Sequence, residues 1–271
     1  MPYAQLNGTE IYYEDNGPRD GQETKQPLLF LHGWGTSGRV WEAQVADLGR
    51  DHWVVTVDWR GCGRSEHPAE GNTTAGNTAD VLALIDALGL NRPVLVGSSM
   101  GATFALEAAL AAPERVLGVV SVDGSGHWAR EGMTEVIRGL LDGFASDRAA
   151  TVAEWVPTWF GPAAGRETVD ATIQQVLASG TAIDDLFREI IGDTPPRDLR
   201  ETLPGLAVPA LFVHGPLDAI PVAVSRTLAA LAPQGELHVI EGTGHMPHQE
   251  LPAEFNAVLR AAVGRMGPAG A

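Results

Sequence analysis

The sequence predicts an α/β fold, a largely parallel sheet with helices on both faces and one all-helical insertion. Short apolar runs at Leu28–Leu31, Trp53–Val57, Val94–Val96, Val116–Val122, Ala210–Val213 and Leu237–Ile240 have the composition of strands buried on both faces. Segments with helical spacing lie between them, so strand and helix alternate, as right-handed crossovers in a parallel sheet require. The alternation fails once, from Gly126 to about Leu206, a stretch too long for a plain loop and without a convincing strand. The expected organisation is a core of residues 1–125 and 207–271, with a helical cap, 126–206, inserted in it.

The chain opens on two alternating segments, Tyr3–Leu6 and Glu10–Glu14, around Asn7-Gly8, a pair that tolerates positive φ at both turn positions and so predicts a β-hairpin. A polar loop, Asn16–Gln26, leads to the first buried run. Ala79–Leu88 carries a stripe of Val81, Leu82, Leu84, Ile85 and Leu88 followed by Gly89, a helix with its C-cap. Met100–Ala112 is an Ala-rich helix stopped by Pro113. Inside the insertion, helical stretches are expected around Thr134–Phe144, Thr151–Phe160, Glu167–Ala178 and Ile183–Ile191.

With 271 residues, 44% hydrophobic and 19% charged, the chain can bury a substantial core, which excludes disordered and fibrous classes. Its 18 Lys+Arg stand against 34 Asp+Glu, and the formal charge of −16 repels phosphate backbones and anionic lipids. Neither nucleic acid nor membrane is an expected partner. The single cysteine, Cys62, forms no intrachain disulfide and no thiolate cluster for a metal, which suits a reducing compartment. The first residues show neither a basic n-region nor an apolar h-region, and no apolar stretch reaches bilayer length, so a cytoplasmic location is expected.

Gly97-Ser98-Ser99-Met100-Gly101 falls between a buried strand and a helix, the setting in which a Gly-x-Ser-x-Gly pattern strains its central residue and exposes the Ser99 hydroxyl. A serine hydroxyl is a weak nucleophile at neutral pH and needs a base that titrates near it, in practice histidine. Of eight histidines, His245 alone sits in a Gly-flanked loop directly after a strand. His248, three residues on, makes a His-x-x-His pair with it but has no third ligand in pattern, so no metal is expected; His214 is read as a packed side chain. The imidazole needs a carboxylate at Nδ1: Asp218 is preferred, because the Gly215 turn aims it at the next loop, and Asp123, at the end of Val116–Val122, is the alternative. His32-Gly33-Trp34-Gly35 follows a strand, and the backbone amides of Trp34 and Met100 are the expected oxyanion hole.

The same loop also spells Gly33-x-Gly35-x-x-Gly38, with Asp58 twenty residues on, the spacing of a dinucleotide site. The hairpin ahead of the strand argues against that reading, and a nucleotide domain would have no use for the Ser99 elbow or the His245 loop. Asp58 is instead expected to pair with Arg60 or Arg64 within a structured loop, and no cofactor is expected.

His32-Gly33-Trp34-Gly35, Arg60-Gly61-Cys62-Gly63-Arg64-Ser65, Gly97-Ser98-Ser99-Met100-Gly101, and Asp218 followed by Gly244-His245 come in an order that resembles the α/β-hydrolase superfamily. The resemblance covers the chain outside the insertion. It implies an eight-stranded, mostly parallel sheet, a cap after the sixth strand, and Ser-His-Asp chemistry. The motifs are similar to those of small bacterial aryl esterases, cofactor-free haloperoxidases (perhydrolases), lactonases and carbon–carbon bond hydrolases. Ala102 replaces a usual glycine and Pro216 interrupts a commonly polar loop, departures that touch substrate identity rather than the three reacting groups. Serine at position 99 excludes relatives that need a carboxylate nucleophile.

The expected activity is hydrolysis of a small, largely apolar carboxylic ester or lactone through an acyl-enzyme, with perhydrolysis as a side activity. Trp128, Trp155, Trp159 and Phe160 of the insertion are the candidate substrate contacts. The rival readings put the same site to non-hydrolytic use, as a ligand receptor, a cofactor-free oxygenase or a hydroxynitrile lyase; a dinucleotide-binding oxidoreductase ranks below them.

Overall fold

The computed structural model describes residues 2–17, 26–126 and 130–267. Eight strands, β1 (Tyr3–Leu6), β2 (Thr9–Asp15), β3 (Pro27–Leu31), β4 (Trp53–Val57), β5 (Val94–Ser98), β6 (Gly118–Val122), β7 (Ala210–His214) and β8 (Gly235–Val239), form one sheet in the order β1-β2-β4-β3-β5-β6-β7-β8. Only the β1–β2 and β2–β4 pairs are antiparallel. The expected hairpin turn is present, with Asn7 at φ 46 and Gly8 at φ 80.

The helices in chain order are α1 (Glu42–Leu48), α2 (Thr74–Leu88), α3 (Met100–Ala111), α4 (Arg130–Trp155), α5 (Arg166–Ala178), α6 (Asp185–Ile191), α7 (Leu199–Thr202), α8 (Val222–Leu231), α9 (Pro247–Glu250) and α10 (Pro252–Met266). The alternation of side chains along a strand distributes each apolar run between two cores. Leu28 and Phe30 of β3 pack with Leu48 of α1 and with Phe255 and Leu259 of α10. Leu29 and Leu31 face the opposite core with Leu84 of α2, Phe104 of α3 and Leu228 of α8. Both faces of the sheet are therefore covered by helices.

Several boundaries differ from the sequence reading for local reasons. α2 begins five residues before the expected Ala79, because Thr73 caps it by accepting from the Gly76 amide at 3.0 Å. Its first turns bury Thr74, Asn77 and Asp80, so the apolar stripe starts late. The first two helices expected in the insertion are present as the two halves of α4, which meet at a non-helical Asp147 (φ −152, ψ 93) whose carboxylate accepts from the Ala150 amide and starts the second half. The expected Asp58–Arg60 pair does not form. Arg60 reaches α2 and binds Asp80 through two hydrogen bonds of 2.7 and 2.8 Å, while Asp58 accepts from the backbone amides of Gly38 and Arg64.

The order of strands reverses at β3: β4 lies on one side of it and β5 on the other. At such a switch point the loops after neighbouring strands diverge and leave a crevice at their carboxyl ends. The His32–Gly35 loop and the Ser99 elbow flank it. Among the described residues between β6 and β7 the regular structure is helical only, and α4 and α6 line this crevice.

Candidate active site

Ser99 occupies the turn between β5 and α3 at φ 55, ψ −117, a conformation that non-glycine residues rarely adopt. Its amide donates to the Val122 carbonyl at 2.8 Å and anchors the turn to β6. The flanking glycines allow the close approach: a Cβ on Gly97 would lie 2.3 Å from the Gly101 carbonyl oxygen, and one on Gly101 would lie 2.3 Å from that of Leu31. The turn thus holds the Ser99 side chain clear of the sheet at the N-terminus of α3. The Ser99 hydroxyl makes no capping hydrogen bond to α3.

His245 follows β8, and its Nδ1 lies 2.7 Å from Oδ2 of Asp218 in the loop after β7. The Ile220 amide donates to the other oxygen of Asp218 at 3.1 Å. Burial pulls the His245 pKa down, but the Asp218 carboxylate and then Glu250 outweigh it, so the ring titrates above its ordinary value. Burial raises the Asp218 pKa, yet the charge and hydrogen bond of His245 bring it below the usual carboxylate range. Asp123, the alternative partner, sits at the end of β6 and bonds to the Gly215 amide instead.

Ser99, Asp218 and His245 line one cavity of about 170 Å³, together with Trp34 and Met100. Met100 opens α3, where a helix leaves its first amides without internal partners. Neither the Trp34 nor the Met100 amide donates to an acceptor among the described residues. The Trp34 ring is engaged elsewhere: its Nε1 donates to the Ile183 carbonyl and its face stacks on Phe144 at 5.2 Å, which fixes the loop to the insertion.

Of the aromatic candidates, Trp155 and Trp159 line the cavity, their rings 5.0 Å apart edge to face. Phe160 is absent from the wall and packs against both cores. Trp128 lies outside the described residues. His248 is fully buried and stacks on Trp41 at 4.1 Å, and burial pushes its pKa down to about 3. His214 is packed, as expected, between Ser225 and the Ile220 carbonyl.

Two groups of site residues escaped the sequence reading. Met133, Val136, Ile137 and Leu140 of α4 line the cavity at i, i+3, i+4 and i+7, a spacing visible in the sequence but shared with any packed helix face. Glu250 is the second. Its carboxylate accepts from the Gly161, Gly244 and Met246 amides at 2.7, 2.9 and 3.3 Å, clamping both sides of His245 and tying them to the insertion. The His245 amide adds a 2.6 Å hydrogen bond to the Trp159 carbonyl.

This sheet order, elbow and His–Asp pair define the class of the molecule as an α/β hydrolase. Residues 28–258 match the model of the alpha/beta hydrolase family, and the chain belongs to that family. It is 31% identical to a non-heme chloroperoxidase of Streptomyces lividans, over 95% of this chain and 97% of the relative. It is 30% identical to a pimeloyl-[acyl-carrier protein] methyl ester esterase of Edwardsiella ictaluri, over 87% and 92%. The chain spans 47% of the length of a further, bifunctional relative. The solved enol-lactonase of Burkholderia xenovorans LB400 superposes with a TM-score of 0.84 at 25% identity, over 97% of this chain and all of that one.

Proposed function

We propose that this hydrolase cleaves small, uncharged, largely apolar carboxylic esters or lactones through an acyl-enzyme on Ser99. The observation that carries the reading is the opening of the strained Ser99 elbow and the Asp218-held His245 ring on one apolar cavity. His245 takes the Ser99 proton through Nε2 as the oxygen attacks the carbonyl, and Asp218 stabilises the imidazolium. The Trp34 and Met100 amides receive the developing oxyanion, each such donor contributing about 2.7–4 kcal/mol to the transition state. His245 then protonates the leaving alkoxide, and water, activated by the same ring, releases the acid.

The wall favours small neutral substrates. Apart from the three reacting residues it is built from apolar side chains, glycine, serine and threonine. A closed apolar void of about 150 Å³ holds a benzene-sized ligand, so the present volume suits one ring or a short chain. The helices over the cavity act as its cap in this reading. The esterase and lactonase named among the relatives support the reaction class. The chloroperoxidase similarity favours a second outcome of the same intermediate, attack by hydrogen peroxide in place of water to give a peracid.

Ser99→Ala tests the proposal on a nitrophenyl ester of a short acid. The expected loss in kcat is about 10⁴- to 10⁶-fold, as for removal of the nucleophile from such a unit. Turnover within about tenfold of the parent chain would overturn it. Halide oxidation in acetate and peroxide, measured on the same two proteins, tests the second outcome.

A further inference from the structure

Asp123 has no step in the mechanism above, yet it is fully buried beside Asp218 and carries a positive φ of 48. One carboxyl oxygen, Oδ1, accepts from the Gly215 amide at 3.0 Å. The other, Oδ2, is buried with no donor facing it. His214 Nδ1 approaches Oδ1 at 3.4 Å but does not neutralise it. The His214 Nε2 lies 2.8 Å from the Ile220 carbonyl and must carry the ring proton, while Nδ1 lies 2.8 Å from the Ser225 hydroxyl and accepts from it. Burial holds the His214 pKa below its ordinary value, so the ring stays neutral.

The remaining neighbours are acids. A carboxylate oxygen of Asp123, one of Asp218 and a ring nitrogen of His214 lie within 4.8 Å of one another. Glu250 of α9 adds negative potential, and His245 faces the far side of Asp218. Asp218 is committed to the anion by His245 and the Ile220 amide. Two adjoining buried carboxyl groups do not both ionise without a cation between them. We infer that Asp123 is a neutral carboxylic acid at neutral pH that donates its Oδ2 proton to Asp218, and so is a positioning residue for the Asp218–His245 pair. Burial, and then the charge of Asp218, likewise push the Asp123 carboxyl well above the usual range.

The donated hydrogen bond draws charge from Asp218, makes His245 less basic and keeps the ring neutral to lower pH. That consequence rests on the hydrolase reading, whereas the protonation state of Asp123 does not. Asp123→Asn keeps an acceptor for the Gly215 amide and offers an NH₂ donor to Asp218 without changing net charge if the acid is already neutral. The expected acid limb of the kcat/KM–pH profile is unmoved and kcat/KM stays within about threefold of the parent. If Asp123 is an anion, the same substitution removes a charge beside the pair and moves the acid limb down by about half a pH unit or more, which would overturn the inference.

Infrared difference spectra of the unsubstituted chain, recorded across a pH titration, make the test independent of activity and of whether the variant folds. A protonated carboxylic acid band that persists at neutral pH supports the inference, and carboxylate bands alone contradict it. When the variant folds, the band should be absent from it. If no ester is turned over, the hydrolase reading fails while the band still decides the state of Asp123.

Discussion

At the residue scale, His245 balances two opposed forces, since burial disfavours its charged form and Asp218 and Glu250 favour it. The second set wins and the folded pKa is raised, so the ring is protonated, and unable to act as base, below a pH that lies above the ordinary histidine value of about 6.5. Hydrolysis should therefore fall as pH drops through that raised value, measured as kcat/KM against pH with an uncharged ester. Asp218→Asn preserves size but removes the charge and the required tautomer, and the expected loss in kcat is about 10⁴-fold. Glu250→Gln sets an NH₂ group against one of the three amides the carboxylate now accepts from. A cost of about 1–3 kcal/mol is expected in denaturant unfolding, together with a lower kcat, because the loop so loosened carries His245.

At the scale of elements, legibility followed the range of the forces involved. The elbow, the hairpin turn and the Gly89 cap are encoded within a few residues, through allowed φ and missing side chains, and these the sequence displays. The break near Asp147 is legible too, because the carboxylate that caps the second half of α4 lies within three residues of the amide it accepts from. Arg60 was misassigned because its partner, Asp80, is carried to it by α2, a long-range placement that spacing does not reveal. The cavity face of α4 was in view as a periodic stripe, but periodicity does not distinguish a wall from a packing surface. Leu140 is partly exposed on that wall. Leu140→Ala should extend the preferred acyl chain, with a gain of about 0.8 kcal/mol, or about fourfold in kcat/KM, for each added methylene that finds the new space. A panel of nitrophenyl esters of increasing chain length measures the shift.

At the scale of the molecule, the sheet brings Ser99 to one crevice with Asp218 and His245, residues 119 and 146 positions further along the chain, beside the β3 switch point. The chain order of these residues is readable in the sequence, and so is the preference for Asp218 over Asp123 through the Gly215 turn; the structure pairs Asp218 with His245, although both acids follow adjacent parallel strands. No helix among the described residues is long and apolar enough to cross a membrane. The net charge of −16 places the apolar cavity in a negative field. An ester carrying a carboxylate should have a lower kcat/KM than its neutral analogue, and added salt should narrow the gap. Equal rates for the two at low ionic strength would remove charge from the account of specificity.

In the proposed reaction the Ser99 oxygen carries the acyl group during turnover. Rapid quench of the chain with a nitrophenyl ester, followed by mass spectrometry of its peptides, tests it most directly. A single acyl group is expected on the peptide containing Ser99, formed at least as fast as the ester is consumed and absent from Ser99→Ala. Steady hydrolysis with the acyl group on another residue would contradict it.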